Sequence, residues 1–383
     1  MNTTGEPIYL DYNASTPIDP RVAAVMRPLL AGPFANPSAT HPGGAEAKAV
    51  LQRARAQVAA LLGCSSDEIV FTSGGSEANN LALKGVFFAR QDQGAHIITT
   101  AVEHPAVLEP LRFLERLGAR VTVVPVDGTG RVDPDDVRRA ITERTILVSV
   151  MHANNEVGTI EPVAEIAAIA RERGVLVHTD AAQSVGKIPT RVGDLGVDLL
   201  SIAGHKVYAP KGVGALYVRG GVALEPLIHG AGHEAGRRAG TESVLLAAAL
   251  GEACEIAMAL GPLEETRRLR DRLWDGLRAR LGGDVVLNGH QTERLPNTLS
   301  VSFVGRIGAD VLAGLDRVAA STGSACHAGS VELSPVLLAM GITPEVGMGA
   351  VRFSLGRQTT ETEIAHVLGL IGPGRAENEV GAT

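Results

Sequence analysis

The sequence predicts an α/β fold: a large domain with a mainly parallel seven-stranded sheet between helices, followed by a smaller α+β domain. Three observations carry this. From about residue 65 to residue 218, short β-branched runs alternate with longer amphipathic ones. After Gly261 and Pro262 the composition shifts to a charged helix. The chain is also built from small aliphatic residues, with 45 Gly and only 3% aromatics, as tight turns and closely packed layers require.

Taken in order, the predicted strands are Ile69 to Thr72, Ile97 to Thr100, Val121 to Val126, Ile146 to Met151, Val175 to His178, Leu199 to Ile202 and Gly214 to Val218. Helices are predicted between them at Glu77 to Arg90, Ala106 to Leu117, Pro134 to Ile141 and Pro162 to Arg173, the last two opening with Pro in the first turn. Strand and helix in alternation mean parallel strands with both faces covered. The apolar stretch Val244 to Leu260, interrupted by Glu252 and Glu255, reads as a buried helix and not a membrane span. In the tail, a helix is predicted over Glu264 to Leu281, strands at Asn297 to Phe303 and Val351 to Leu355, and helices near Gly308 to Ala313 and Pro335 to Met340.

The formal charge of −7 argues against a nucleic-acid binder working by bulk charge. Residues 1–20 carry Glu6, Asp11 and Asp19 with no basic start and apolar run, so a cytoplasmic location without a signal peptide or membrane anchor is expected. Cys64, Cys254 and Cys326 are odd in number and far apart, which excludes a disulfide framework and a CxxC metal site. His229 and His233 lie in a Gly-rich run and no HExxH occurs, so no metal site is expected.

Two constellations carry chemistry. Phe71-Thr72-Ser73-Gly74-Gly75-Ser76 follows a strand and opens a helix, where free N–H groups and the positive dipole end receive an anion. On this fragment alone, a capped tight turn explains the residues equally well. His178-Thr179-Asp180-Ala181-Ala182-Gln183 and Gly204-His205-Lys206 then put a carboxylate and an amine at the same edge of a parallel sheet, where ligands bind. Pyridoxal phosphate requires that pair: Asp against the pyridinium nitrogen, Lys as the Schiff-base amine.

With these segments, Tyr9-Leu10-Asp11-Tyr12-Asn13-Ala14, VEH (102–104), NNEVG (154–158), PKGVGALYV (210–218), AGT (239–241), GSAC (323–326) and VRFSLGR (351–357) resemble the cysteine desulfurases of the NifS/IscS type. These are pyridoxal-phosphate enzymes of the class V aminotransferase group. The resemblance runs in order over nearly the whole chain. It implies fold type I, a large domain at 17–260 and a small one formed by 1–16 and 261–383. It also implies a homodimer and conversion of L-cysteine to L-alanine. It further implies that sulfane sulfur is left on Cys326 as a persulfide for an acceptor protein, whether in iron–sulfur cluster assembly, tRNA thiolation or a dedicated biosynthetic pathway.

The resemblance assigns the residues as follows. Lys206 holds the cofactor and shuttles the α-proton, Asp180 keeps the ring nitrogen protonated, Gln183 hydrogen-bonds the ring oxygen, and His104 stacks on the ring. Gly75, Ser76 and His205 bind the phosphate, with Thr241 reaching in from the partner subunit. The family often has Thr at Ser76 and Ser at Ala203, so a phosphate hydroxyl is missing at Ala203. Arg352 takes the substrate carboxylate through paired hydrogen bonds, helped by Asn155 and Asn36, although turn formation accounts for Asn36 equally well.

Cys326 lies in a run of small polar residues, 321–330, without helical or strand period, so a mobile surface loop is predicted, ending at the cap Ser334 and Pro335. A loop thiol can both attack the substrate sulfur and carry it away. Cys254, among Ala and Ile, and Cys64, after Gly63 at a helix end, read as structural.

Selenocysteine lyase is the nearest alternative, favoured by Ala325-Cys326-His327 and Pro335-Val336-Leu337-Leu338. The mammalian lyases resembled here carry an acidic residue just after the stacking His, where this chain has Pro105. A general class V aminotransferase would not need Cys326, and a non-catalytic scaffold would not need Lys206.

Overall fold

The computed structural model describes residues 7–260, 263–322, 324–327 and 330–372, with the backbone alone over 324–327 and 330–332. The chain enters as β1 (Ile8–Tyr9), then forms α1 (Pro20–Ala31) and α2 (Pro42–Leu62). Asp19 caps α1 by accepting from the Arg21 N–H ahead of Pro20 at the first position. At its other end α2 stops on Gly63, whose φ of 69° is the left-handed cap that favours glycine.

The main sheet is built from β2 (Ile69–Thr72), β3 (His96–Thr100), β4 (Arg120–Val124), β5 (Thr145–Ser149), β6 (Leu176–Asp180), β7 (Leu199–Ala203) and β8 (Gly214–Val218). The intervening helices include α3 (Gly75–Ala89), α4 (Pro105–Glu115), α5 (Pro134–Ala140) and α6 (Val163–Arg171). All seven predicted strands are present, with ends within two residues of expectation. The strand order is β2-β8-β7-β6-β5-β3-β4, and β8 alone runs antiparallel to both of its neighbours. The C-terminal ends of β2, β3, β5, β6 and β7 therefore share one edge of the sheet.

Strands β2, β3, β5, β6, β7 and β8 are buried at every residue, as expected of strands covered on both faces. One apolar core lies between the sheet and α1, α2 and α6, together with the helix Val244–Leu260, and contains Val58, Ile98, Val148, Leu200 and Cys254. A second, on the other face, holds Leu81, Phe87, Val107 and Leu147. That buried helix is as predicted, with Cys254 fully inside.

The helix Glu264–Leu281 carries acidic residues in its first turn and Arg278 and Arg280 in its last, matching the helix dipole. It covers a four-stranded antiparallel sheet of Ser321–Thr322, Ala350–Ser354, Thr298–Phe303 and Val285–Asn288. A separate core joins Leu273, Leu277, Phe303 and Phe353 to Ile8 and Leu10 from the start of the chain.

One expectation is corrected. The backbone around Cys326 is not an irregular loop: Ser324–His327 pairs antiparallel with Ser330–Leu333, setting Cys326 opposite Val331. The ladder needs only main-chain N–H and C=O groups, so a strand of small polar residues shows no apolar period. Ser334 then caps the helix Pro335–Ala339 as predicted, accepting from the Val336 N–H. Gly323, Ala328 and Gly329 of that segment lie outside the described residues.

Candidate active site

The shared strand edge opens on a cavity of about 450 Å³. β2 delivers Gly75 and Ser76, β3 delivers His104, β5 leads to Asn155, β6 ends on Asp180 with Gln183 following, and β7 leads to His205 and Lys206. Arg352 enters from the antiparallel sheet, and Asn13 from the segment after β1.

Asp180 is held on both oxygens. Oδ2 accepts from Asn79 Nδ2 at 2.7 Å and Oδ1 from the Ala182 N–H at 2.9 Å. Asn79 sits one turn into α3, so the helix that opens at Gly75 also orients the carboxylate. Lys206 Nζ donates to Ala14 O at 2.8 Å and to Asn13 O. Burial first, then the Arg352 guanidinium, push Lys206 down to about 8 against the opposing pull of Asp11 and Asp180.

His104 Nδ1 accepts from the Ala106 N–H at 3.0 Å and so caps α4, which begins at Pro105. Burial is the largest influence lowering its pKa; Asp180 opposes and Lys206 adds to it. His205 is pushed down to about 4 by burial, then by Lys206 and Lys211, so it is neutral near pH 7.

No side chain caps the start of α3, where Gly74 is the N-cap. The first-turn N–H groups of Gly75 and Ser76 border the cavity with their dipole end toward it. A Cβ on Gly75 would lie 3.1 Å from Ala203 Cβ, and one on Gly214 would lie 2.6 Å from the Gly74 carbonyl carbon. Both places are close backbone approaches that a larger residue would disturb. The donor set fits pyridoxal phosphate: N–H groups and a neutral imidazole for a phosphate, a fixed carboxylate for a ring nitrogen, and an amine for an aldehyde.

Arg352 is already engaged. NH2 donates to Asp11 Oδ1 at 2.7 Å and Ser321 Oγ at 3.0 Å, and NH1 to Asn155 O at 2.9 Å. Its buried Nε has no partner among the described residues. Asn36 lies on the surface in a turn closed by Ser38 N–H to its Oδ1 at 2.9 Å, and Thr241 is exposed; neither lines the cavity in this chain. The side chain of Cys326 lies outside the described residues.

Asp11, Asn13 and Asn79 carry this site without having been singled out for a role in the sequence. Asn79 had a usable signal, four residues after Gly75 on the helix that starts at the cavity. Below the site, Glu103 Oε1 accepts from Thr100 Oγ1 and the Met151 N–H, both at 2.8 Å, and its buried Oε2 has no partner among the described residues. Burial raises this carboxyl to about 8.

A class-V aminotransferase family model matches residues 8–367. A cysteine desulfurase IscS of Dictyoglomus turgidum is 48% identical over 368 residues, 95% of this chain and 93% of the relative. Among solved structures, a NifS-like protein superposes with a TM-score of 0.88 at 39% identity, covering 95% of this chain and 97% of its own. A structure of SspA in complex with cysteine gives 0.82 at 38% identity, with 91% and 98% covered.

Proposed function

Since the chain belongs to the class-V aminotransferase family, as a pyridoxal-phosphate-dependent cysteine desulfurase, we propose that the cavity beneath Arg352 is where it acts on L-cysteine. The observation that supports this best is a fixed Asp180 carboxylate and a Lys206 amine in one cavity that also holds the uncapped start of α3. The same reading divides the chain into 17–260 and 1–16 with 261–383, in line with separate apolar cores. It also makes the active form a homodimer in which Thr241 completes the neighbouring site, and the enzyme cytoplasmic.

Gly75, Ser76 and His205 would hold the cofactor's phosphate, Asp180 its ring nitrogen, Gln183 its ring oxygen and Lys206 its aldehyde carbon, with His104 against the ring. When bound, the cofactor supplies an electron sink for the bonds changed at the substrate's α- and β-carbons. Arg352 binds the substrate carboxylate, assisted by Asn155, and Asp11 must share the guanidinium with it. Asn36 belongs to this carboxylate subsite only if the partner subunit brings its loop there. Lys206, with its pKa near 8, is suited to take and return a proton near neutral pH. Cys326 attacks the substrate sulfur as a thiolate. The C–S bond breaks, an S–S bond forms, and the carbon skeleton leaves as L-alanine. The persulfide then passes to an acceptor protein, in line with iron–sulfur cluster assembly.

The test compares alanine formation from L-cysteine and L-selenocysteine by the wild type and Asp180→Ala. Asp180→Ala should fold and lose most activity on both substrates; near-normal alanine production would contradict the role of Asp180. Strong preference for L-selenocysteine would favour a lyase.

A further inference from the structure

A second lysine reaches the wall of this site with no assigned task. Lys187 follows the turn after β6, and its Nζ donates to Gln183 Oε1 at 2.9 Å and to Asn13 Oδ1 at 3.3 Å. Among the described residues it forms no ion pair with a carboxylate. Burial first, then the like charges of Lys206 and Arg352, hold it well below the ordinary lysine range. A buried amine whose acceptors are two neutral oxygens is costly as a charge. Its value must lie in what it donates to.

Gln183 shows what that is. Its Nε2 donates to the Asn13 carbonyl oxygen at 3.0 Å, a group that can only accept. The carboxamide is therefore oriented without ambiguity: nitrogen toward Asn13, oxygen toward Lys187. One Nε2 proton is used on Asn13 and the other remains for the cavity that Gln183 lines. Asn13 itself is held rigidly. Its Nδ2 donates to Thr298 Oγ1 at 2.8 Å, its Oδ1 accepts from Asn297 Nδ2 at 3.0 Å, and its backbone N–H donates to Ser354 Oγ at 2.9 Å.

We propose that Lys187 is a positioning residue that locks the Gln183 carboxamide with its N–H toward the cavity, making Gln183 a hydrogen-bond donor to an anionic ring oxygen of the cofactor. This rests on the reading of Gln183 as the ring-oxygen partner. With Lys187 replaced by an apolar side chain, Gln183 Oε1 loses its donor, and only the Nε2 contact with the Asn13 carbonyl is left to hold the carboxamide.

The readout is the pH midpoint of the visible band of the bound cofactor. A donor to the ring oxygen favours the state in which that oxygen carries the full charge, so losing it raises the midpoint. Lys187→Met should raise it by about one pH unit, the size of one hydrogen bond to a charged oxygen. Lys187→Gln, which keeps a donor, should return it most of the way. Gln183→Met should give a similar rise, and the double variant should rise no further than Gln183→Met. Melting of the apoprotein checks that each variant is folded, and Lys187→Leu is a second donor-less replacement should Lys187→Met fail to fold. A wild-type midpoint in the donor-less variants, or shifts that simply add in the double variant, would overturn the proposal. An unchanged midpoint in Gln183→Met would overturn it too, while loss of the band in Lys206→Ala would leave the wider reading of the site standing.

Discussion

Lys206 offers a quantitative test that needs neither substrate nor cofactor. Its pKa of about 8, against an ordinary 10.5, leaves about one amine in ten neutral at pH 7, where an ordinary lysine has about one in three thousand. Two neighbours should move it in opposite directions. Arg352→Gln removes the cation that pushes it down and frees Asp11 to pull it up, so the pKa rises; Asp11→Asn removes an opposing anion and leaves Arg352 uncompensated, so it falls. Trace acetylation of the apoprotein across pH 6 to 11, read by peptide mass spectrometry with exposed Lys211 as reference, reports the neutral fraction directly. The wild-type labelling midpoint should lie near 8, with the two variants on either side. A midpoint above 10, or variants shifting the same way, would refute the electrostatic account. Linkage adds a sign: between about pH 8 and 10.5 the unfolded chain binds the proton that the fold has released, so apoprotein stability gains from Lys206 as pH rises there.

Two further outcomes concern the scaffold. Glu103 keeps its proton to about pH 8 in the fold but loses it near 4.5 when unfolded, so its contribution to stability falls as pH rises through that window. Glu103→Gln should therefore gain on the wild type by on the order of 3 kcal/mol between pH 5 and 8, measured by urea unfolding; parallel pH profiles would contradict this. Cys254, whose thiol burial pushes up to about 12, should be dispensable for chemistry. Cys254→Ala should cost about 1 kcal/mol or less in stability with activity per folded molecule unchanged, and a loss of turnover exceeding the loss of folded protein would refute its assignment to the core.

Much of this architecture was legible because buried parallel strands are continuous apolar runs: Ile69–Thr72 and Gly214–Val218 occur at their expected residues. The direction of Gly214–Val218 was not, since an apolar run looks the same read either way. Asp180 and Lys206 could be placed because a strand end fixes where the next residue emerges. Asn13 could not, because its partners Ser354, Thr298 and Asn297 lie about 300 residues away, and local periodicity carries no such information. Asp11 was hidden in the same way by its pairing with Arg352. The strand at Cys326 escaped because its pairing is made by main-chain groups that side-chain type does not report.

The central claim is that ring and thiol divide the work, with Lys206, Asp180 and Arg352 activating the substrate and Cys326 accepting its sulfur. It is tested most directly by treating the cofactor-loaded enzyme with L-cysteine and locating the added 32 Da by peptide mass spectrometry. The persulfide should lie on the Cys326 peptide, with Cys64 and Cys254 unmodified. In Cys326→Ala the visible band should remain and still respond to L-cysteine, with almost no alanine formed. A persulfide on Cys64 or Cys254, or wild-type alanine formation by Cys326→Ala, would contradict the account.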